Sequence, residues 1–308
     1  MYRYDITIKR PCVLLIGNGL VLNSSINSIN VKKWDEYIYS LSDKEIYETE
    51  KKKYGNIPYS ILASLLASDD DVKRHNDYLK CFETQELMFE SSLEKIVTLP
   101  VDAILTTNYT YEIENVFCKM FSNLKDKSKF SYYYSSKADG KYLLHHYNKF
   151  PNSPEIWHIH GELRRKSSII LTHDEYVKLI GKLVEENNKN SNKYVSFKNQ
   201  LKINSWLDYF IVGNLYIVGF SMNFSELDLW WILNRRKREK GPCGEVHFFA
   251  TKDNSDELVL SLENFGVIVH KYDDVFGKNI NNGDSTAYYD KLYSRIFEDL
   301  KRILNIFN

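Results

Sequence analysis

Short, largely apolar runs recur along the chain, and each is followed by glycine or polar residues. The runs are Pro11–Ile16, Val101–Leu105, Leu215–Phe220, Val246–Ala250 and Val267–His270. Apolar runs without regular polar alternation are typical of strands that are buried on both faces of a parallel sheet.

Amphipathic segments separate these runs, with apolar residues at helical spacing. They are Lys32–Leu41, Leu87–Leu99, Tyr111–Leu124, Tyr194–Phe210 and Glu226–Lys240. The alternation of strands and helices predicts an α/β fold, with a Rossmann-like, mostly parallel sheet and helices on both faces.

The whole chain, 1–308, is interpreted as a single domain with two additions. The stretch at about 43–99 is mostly helical and far longer than the dozen or so residues that a crossover between parallel strands needs, so it is predicted to be a helical insertion. The polar segment Glu185–Lys193 is predicted to be an exposed loop. A C-terminal amphipathic helix is predicted at about 286–307, and its apolar face would either cap the core or contact another subunit.

The charge balance and residue composition of the chain argue against several classes of function. Lys+Arg and Asp+Glu balance at 41 each, so net charge gives no support for direct nucleic-acid binding. No apolar run approaches the roughly 18 residues of a membrane span, and we expect a cytoplasmic protein. The four cysteines are isolated from one another, which argues against a zinc ribbon or a disulfide framework.

The first apolar run ends in Gly17-Asn18-Gly19. Glycines at a strand-to-helix turn allow backbone amides to approach a pyrophosphate, because no Cβ stands in the way. Leu22 occupies the third position after Gly19, so the GxGxxG fingerprint is incomplete, and a tight turn that only needs positive φ is the alternative.

Thr107 and Asn108 follow the second run. An asparagine there could simply be the N-cap of the following helix. Alternatively, its amide lies at the carboxyl end of a strand, where open α/β sheets bind ligands, and orients a water or a ribose hydroxyl.

His160 lies in a histidine-rich part of the chain, since five of the eight histidines fall between His145 and His173. No HExxH or comparable zinc spacing occurs, so no metal is expected, although a metal-dependent hydrolase stays an alternative. If this segment is a strand, His158 and His160 point to the same face. His160 is a candidate general base because imidazole titrates near neutral pH, and the alternative is a buried structural histidine.

Gly219 and Ser221 follow the third run, and Asp228 lies in the helix beyond. A glycine and a hydroxyl at the carboxyl end of a strand suit the adenosine half of a dinucleotide, whereas the alternative is an ordinary strand-to-helix turn. The basic run Arg235–Arg238 is interpreted as the solvated end of a helix.

Taken in order, these segments resemble the sirtuin-like domain, and most closely its divergent prokaryotic branch found in anti-phage defence. The segments are IGNG, the Trp34 helix, TTNY, IHGEL, ILTHDEY and IVGFSMNFSELDL, over roughly residues 11–270. The resemblance implies that Asn108 and His160 are catalytic and that Gly17, Asn18, Gly19, Thr107, Gly219, Ser221 and Asp228 bind NAD.

The resemblance implies an NAD glycohydrolase that consumes NAD as substrate, releases nicotinamide and ADP-ribose, and acts in abortive infection as a homo-oligomer beside a HerA-type ATPase. Three departures qualify it. The four-cysteine zinc module of protein-deacylating sirtuins is missing, Asn18 replaces a small residue, and Thr110 replaces an acidic one. The TNYTYEIE stretch also resembles the AbiH abortive-infection family.

Two further functions remain as alternatives. A non-catalytic module that senses NAD or ADP-ribose would keep the glycines and dispense with His160. A protein deacylase would turn over acyl-peptides, and the missing zinc module counts against it.

Overall fold

A single sheet of six parallel strands forms the centre of the protein in the computed structural model, in the order β3-β2-β1-β4-β5-β6. The strands are β1 Cys12–Ile16, β2 Ala103–Thr106, β3 Glu155–His158, β4 Asn214–Val218, β5 Val246–Phe249 and β6 Ile268–His270. The structure describes residues 9–24, 34–41, 57–82, 92–121, 142–150, 152–190, 203–238, 243–272 and 285–306. The predicted α/β, Rossmann-like fold is confirmed.

Helices surround the sheet, and about half of the molecule is helical. They are α1 Asn18–Ser24, α2 Trp34–Tyr39, α3 Tyr59–Leu66, α4 Asp71–Phe82, α5 Ser92–Val97, α6 Glu112–Phe121, α7 His173–Asn190, α8 Trp206–Val212, α9 Leu227–Arg238, α10 Asp256–Asn264 and α11 Ser285–Ile303, with a 3₁₀ helix at Leu163–Ser168. None of the described helices is long and apolar enough to cross a membrane.

The central strand β1 shows why its sequence has no polar alternation. Val13 and Leu15 pack into one hydrophobic cluster, with residues of α7, α8 and α9. Leu14 and Ile16 point the other way, into a second cluster with residues of α5, α6 and α11. Because successive side chains of a strand face opposite sides, a strand covered on both sides must be apolar at every position.

The C-terminal helix α11 covers one of these faces. Leu292, Ile296 and Leu300 are fully buried in the same cluster as Leu14 and Ile16. Of the two roles left open for this apolar face, the structure therefore shows that it caps the core.

The region between β1 and β2 contains α2, α3, α4 and α5 among its described residues. A third cluster joins Ile38 of α2, Leu62 of α3 and Tyr78 of α4 to Tyr109 and Ile169. The predicted insertion at about 43–99 falls partly outside the described residues, at 43–56 and 83–91. Its helices pack beside the segments that follow β2 and β3.

The predicted loop Glu185–Lys193 is wrong over its described part, because α7 continues to Asn190. Leu179, Leu183 and Asn187 are buried at four-residue spacing on the inner face. On the outer face, the ammonium groups of Lys182 and Lys189 lie 3.0 and 2.8 Å from the carboxylate of Glu185. The segment is polar because most of one helix face meets solvent, and charged pairs at helical spacing support such a face.

The predicted solvated run Arg235–Arg238 is wrong for Arg236, which is buried. Its guanidinium donates hydrogen bonds to the carbonyl oxygens of Phe210, Ile211, Gly213 and Gly244. The last carbonyls of a helix have no partner within it, so Arg236 satisfies those at the end of α8.

The order of the strands fixes where a ligand can enter. From β1 the sheet continues to β2 and β3 on one side and to β4, β5 and β6 on the other. In open α/β sheets the crevice at such a switch point, at the carboxyl ends of the strands, is where ligands bind.

Candidate active site

A cleft opens at this switch point, at the carboxyl ends of β1, β4 and β5. Four residues predicted to bind a nucleotide, Asn18, Gly19, Gly219 and Ser221, line it together with Glu226. The other lining residues are Trp34, Tyr59, Phe220, Asn223, Thr251, Asp253, Asn254, Tyr289 and Tyr293. Aromatic and amide side chains around exposed backbone suit a nucleotide's rings and hydroxyls.

The glycines bring two loops into direct contact at the base of this cleft. A Cβ on Gly19 would lie 2.7 Å from the carbonyl oxygen of Gly219, and a Cβ on Gly17 would lie 2.4 Å from Cδ2 of Phe220. Gly219 has φ +61° and a Cβ there would lie 2.4 Å from the amide nitrogen of Leu20. Close approach accounts for Gly17 and Gly19, neither of which has a positive φ, and Gly219 combines close approach with a positive φ. The same packing leaves Gly19 and Gly219 on the cleft wall.

His160 lies beyond the end of β3, in the turn that follows. The strand ends at His158, and Gly161 has φ +94°, a conformation that favours glycine. The expectation that His158 and His160 share one face of a strand is therefore wrong. The turn sends the two imidazoles into different surroundings.

The His160 imidazole is 2 % exposed and both of its nitrogens have polar neighbours. Nε2 lies 2.9 Å from Oδ2 of Asp228, at the start of α9. A carboxylate only accepts hydrogen bonds, so Nε2 carries the hydrogen and Nδ1 is the basic nitrogen of the neutral ring. Nδ1 lies 3.4 Å from the Tyr176 hydroxyl and 3.9 Å from Oε2 of Glu226.

Two pKa values are shifted here by these contacts. Burial alone lowers the pKa of His160, but the carboxylates of Asp228 and Glu226 outweigh it and raise this pKa above the usual 6.5. Burial raises the pKa of Glu226 to about 7, with the charge of Asp228 adding to the rise and that of His160 opposing it. The site therefore holds a carboxyl group with a pKa of about 7 beside a histidine whose pKa is raised.

Asn108 is held by its backbone, while its side-chain amide has no hydrogen-bond partner among the described residues. Its amide N–H donates to Oγ1 of Thr106 at 3.1 Å, and its carbonyl accepts from Nδ1 of His158 at 2.7 Å. Helix α6 begins only at Glu112, and Oδ1 of Asn108 accepts no hydrogen bond from any described residue, so the N-cap interpretation is wrong. The backbone bonds thus position the Asn108 side chain, and its amide atoms have no partner in the part of the chain that the structure describes.

Unbonded buried polar atoms occur at four of the predicted site residues. Among the described residues no partner exists for Nδ2 of Asn18, Oγ1 of Thr107, both amide atoms of Asn108 or Oδ1 of Asp228. Leaving a buried polar group unbonded costs about 1–3 kcal/mol, so each of these atoms is a candidate for a bond to a ligand or to water. These four residues follow β1, β2 and β4, and of the four only Asn18 lines the cleft.

His158 belongs to a separate buried network. Its Nε2 donates to Oε1 of Glu114 at 2.9 Å, and the same oxygen accepts from Nδ2 of Asn148 at 2.8 Å. Burial lowers the pKa of His158, but Glu114 and Glu162 outweigh it and raise this pKa to about 9. His158 therefore stays protonated at neutral pH, and its two N–H groups connect the loop after β2 to α6.

Sequence reasoning missed Glu114, Tyr176 and Glu226, although all three lie in the motifs TNYTYEIE, ILTHDEY and FSELDL. The motifs were visible in the sequence, but their spacing does not indicate which side chain contacts which histidine. Asp228 lies against His160, is 0 % exposed and does not line the cleft. Its contact points to orienting the imidazole.

Within the described part of the chain, the side chains of His160, Glu226 and Asp228 also bring ligand atoms within 4.8 Å of one another. Imidazole and carboxylates together suit a divalent cation such as Zn²⁺ or Mn²⁺. The hydrogen bond between His160 and Asp228 explains why these two side chains lie together without a cation.

The SIR2-like domain family matches residues 102–268, just over half of the chain. The chain belongs to this family. The matched region contains Asn108, His160, Gly219 and Asp228, while Gly17–Gly19 precede it. A search of curated proteins found no match. SIR2-like domains bind NAD and their fold indicates NAD-using enzymes, in agreement with a cleft at the Rossmann switch point.

Proposed function

We propose that this SIR2-like protein is an NAD glycohydrolase that cleaves the bond between nicotinamide and ribose, releasing nicotinamide and ADP-ribose. The observation that carries the proposal is the buried, unbonded amide of Asn108, one strand away from a histidine paired with a carboxylate. An amide of this kind can hold a water or hydroxyl, and the histidine can take its proton.

Hydrolysis of a glycosidic bond passes through a sugar with oxocarbenium character. Asn108 orients the attacking water by donating from Nδ2 and accepting at Oδ1. The proton that this water loses ends on His160, and Asp228 stabilises the resulting imidazolium, as carboxylates paired with catalytic histidines do. Proton removal by a positioned base is worth about 10²–10⁴-fold in rate.

Asn18, Gly19, Gly219 and Ser221 would hold the dinucleotide along the cleft. Backbone at glycine turns can approach phosphates closely, and the hydroxyl of Ser221 and the amide of Asn18 can bond ribose or phosphate oxygens. Thr107 precedes Asn108 and offers its unbonded hydroxyl on the same loop.

Hydrolysis is preferred over protein deacylation because the isolated cysteines offer no four-cysteine zinc module. The resemblance to anti-phage sirtuin-like proteins further supports an effector of abortive infection. We accordingly propose a homo-oligomer controlled by a HerA-type ATPase partner.

One observation favours the alternative of a non-catalytic NAD or ADP-ribose sensor. His160 is almost completely buried, and polar groups occupy both of its nitrogens. A sensor would bind the dinucleotide in the cleft without using this imidazole, and would keep its affinity when His160 is replaced.

The test is product analysis with purified wild type, Asn108→Ala and the control Asn264→Ala, whose residue is exposed on α10. NAD, an acyl-peptide with NAD, and NAD with the candidate ATPase are supplied in turn. We expect nicotinamide and ADP-ribose in equal amounts from wild type and Asn264→Ala and none from Asn108→Ala. Tight NAD binding without turnover in every condition would establish the sensor instead.

A further inference from the structure

Glu226 and Tyr176 connect the buried His160 to the cleft. We propose that Glu226 is the proton acceptor that faces the substrate and that the Tyr176 hydroxyl links it to His160, which stores the proton. This inference rests on the proposed NAD hydrolysis and names a further catalytic residue and a positioning residue for it.

Glu226, Tyr176 and His160 differ in how close they lie to the cleft. Of the three groups, Glu226 alone lines the cleft, and the exposed fraction of its side chain is 16 %. His160 is 2 % exposed and Tyr176 is 7 % exposed. A substrate in the cleft therefore meets the carboxylate before it meets the imidazole.

Hydrogen-bond geometry is the second argument. The Tyr176 hydroxyl lies 3.1 Å from Oε2 of Glu226 and 3.4 Å from Nδ1 of His160. A phenol has one hydrogen to donate and an oxygen that can accept. When His160 is neutral, the hydroxyl can donate to Nδ1. When His160 is protonated, Nδ1–H donates to the hydroxyl, which must then donate to Glu226. The protonation state of His160 thus determines whether the Tyr176 hydroxyl donates to His160 or to Glu226.

These bonds give a balanced proton path. The water oxygen forms the bond to the ribose carbon, the bond to nicotinamide breaks with its electron pair on the nicotinamide nitrogen, and the water proton goes to Glu226. Glu226 then passes a proton to the oxygen of Tyr176 while the Tyr176 hydroxyl hydrogen moves to Nδ1 of His160. Glu226 is again a carboxylate, and the imidazolium lies beside Asp228.

The charges around Glu226 support a role near neutral pH. The titratable groups that act on it or on Tyr176 are His160 after β3, Asp228 on its own segment and Tyr109 after β2. Asp253 lines the same cleft. Burial and Asp228 raise the pKa of Glu226 to about 7, against the opposing effects of His160 and Tyr176. A carboxylate with that pKa is a far better base than an exposed one.

The first test measures nicotinamide release against pH for wild type, Glu226→Gln and Tyr176→Phe. Matched controls are Glu155→Gln and Tyr209→Phe, because Tyr209 also donates to a glutamate, Glu155, at 3.0 Å. That pair lies at the start of β3, at the opposite edge of the sheet from the cleft. We expect Glu226→Gln to lower kcat about 10²-fold or more and to abolish the acidic limb of the profile. Tyr176→Phe should lower kcat less, and both controls should match wild type.

A Glu226→Gln variant with the wild-type rate and pH profile would overturn the proposal. The second readout does not depend on turnover. It is the ¹⁵N-detected NMR titration of the His160 ring, assigned by the signal that His160→Gln removes, with the folded spectrum as control for each variant.

We expect Glu226→Gln to lower the His160 titration midpoint, because the Glu226 charge favours the imidazolium, and Tyr176→Phe to change it as well. Both matched controls should leave it in place. If wild type fails to hydrolyse NAD, the proposed function is contradicted. This titration still shows whether Glu226 and Tyr176 are coupled to His160. A midpoint unchanged in both variants would show that no such link exists.

Discussion

His158 and His160 are two residues apart, both buried and each bonded to a carboxylate, yet their second ring nitrogens meet different partners. His158 donates from one nitrogen to Glu114 and from the other to the carbonyl of Asn108. His160 donates to Asp228 but faces the Tyr176 hydroxyl with its other nitrogen. A carbonyl can only accept, whereas a hydroxyl can accept or donate. The second partner, rather than burial or the paired carboxylate, therefore separates a fixed cation from an exchangeable base.

The largest effect that tests this difference is expected from Asp228→Asn. The substitution keeps the size of the side chain and removes the charge that stabilises the His160 imidazolium. We expect kcat for nicotinamide release to fall about 10²–10⁴-fold with a nearly unchanged melting temperature.

Asp208→Asn is the matched control for this experiment. Asp208 is also buried, but it completes the capping box of α8. The substitution keeps an oxygen that can accept from the backbone, so it should cost less stability than the roughly 0.5–2 kcal/mol of a lost cap and leave kcat per folded molecule unchanged. Equal losses of kcat in the two variants would contradict the role of Asp228.

The next effect concerns stability at the other histidine. His158→Leu leaves Glu114 as a buried charge without its cation, which is expected to cost about 3–5 kcal/mol of unfolding free energy. Chemical denaturation at pH 6 measures it. The double variant His158→Leu/Glu114→Leu should recover part of the loss, because it removes the unpaired charge. No recovery would mean that the cost arises from packing alone.

The smallest effect is the pH dependence of that stability. His158 has a folded pKa of about 9, above its ordinary 6.5, so its contribution is complete below about pH 6.5 and is lost as pH rises through 9. The free-energy difference between wild type and His158→Leu should therefore shrink between pH 6.5 and 9. A difference that stays constant or grows over this window would contradict a cationic His158.

The fold was predictable because its strands are apolar at every position, as Val13 to Ile16 must be when both faces of β1 are covered. The end of β3 was not predictable, because the turn at Gly161 depends on its close approach to Ser168, seven residues further along the chain. Helix α7 was not predicted, and its last part was interpreted as a loop because its outer face is polar.

The candidate site divides in the same way. Asn108 and His160 follow recognisable strands, and the loops that carry them are short. Tyr176 and Glu226 come from α7 and the turn before α9, and only tertiary packing brings their side chains to His160. Arg236 shows the converse: the charge of a basic run says nothing about which member turns inward to bond backbone carbonyls.

We propose that His160 is the histidine that takes up the proton in NAD cleavage. Nicotinamide release by wild type, His160→Asn and the partly exposed control His145→Asn, with folding checked by circular dichroism, tests it most directly. We expect release by wild type and the control, and a loss of at least about 10²-fold in His160→Asn at an intact fold. Undiminished release by folded His160→Asn would contradict it.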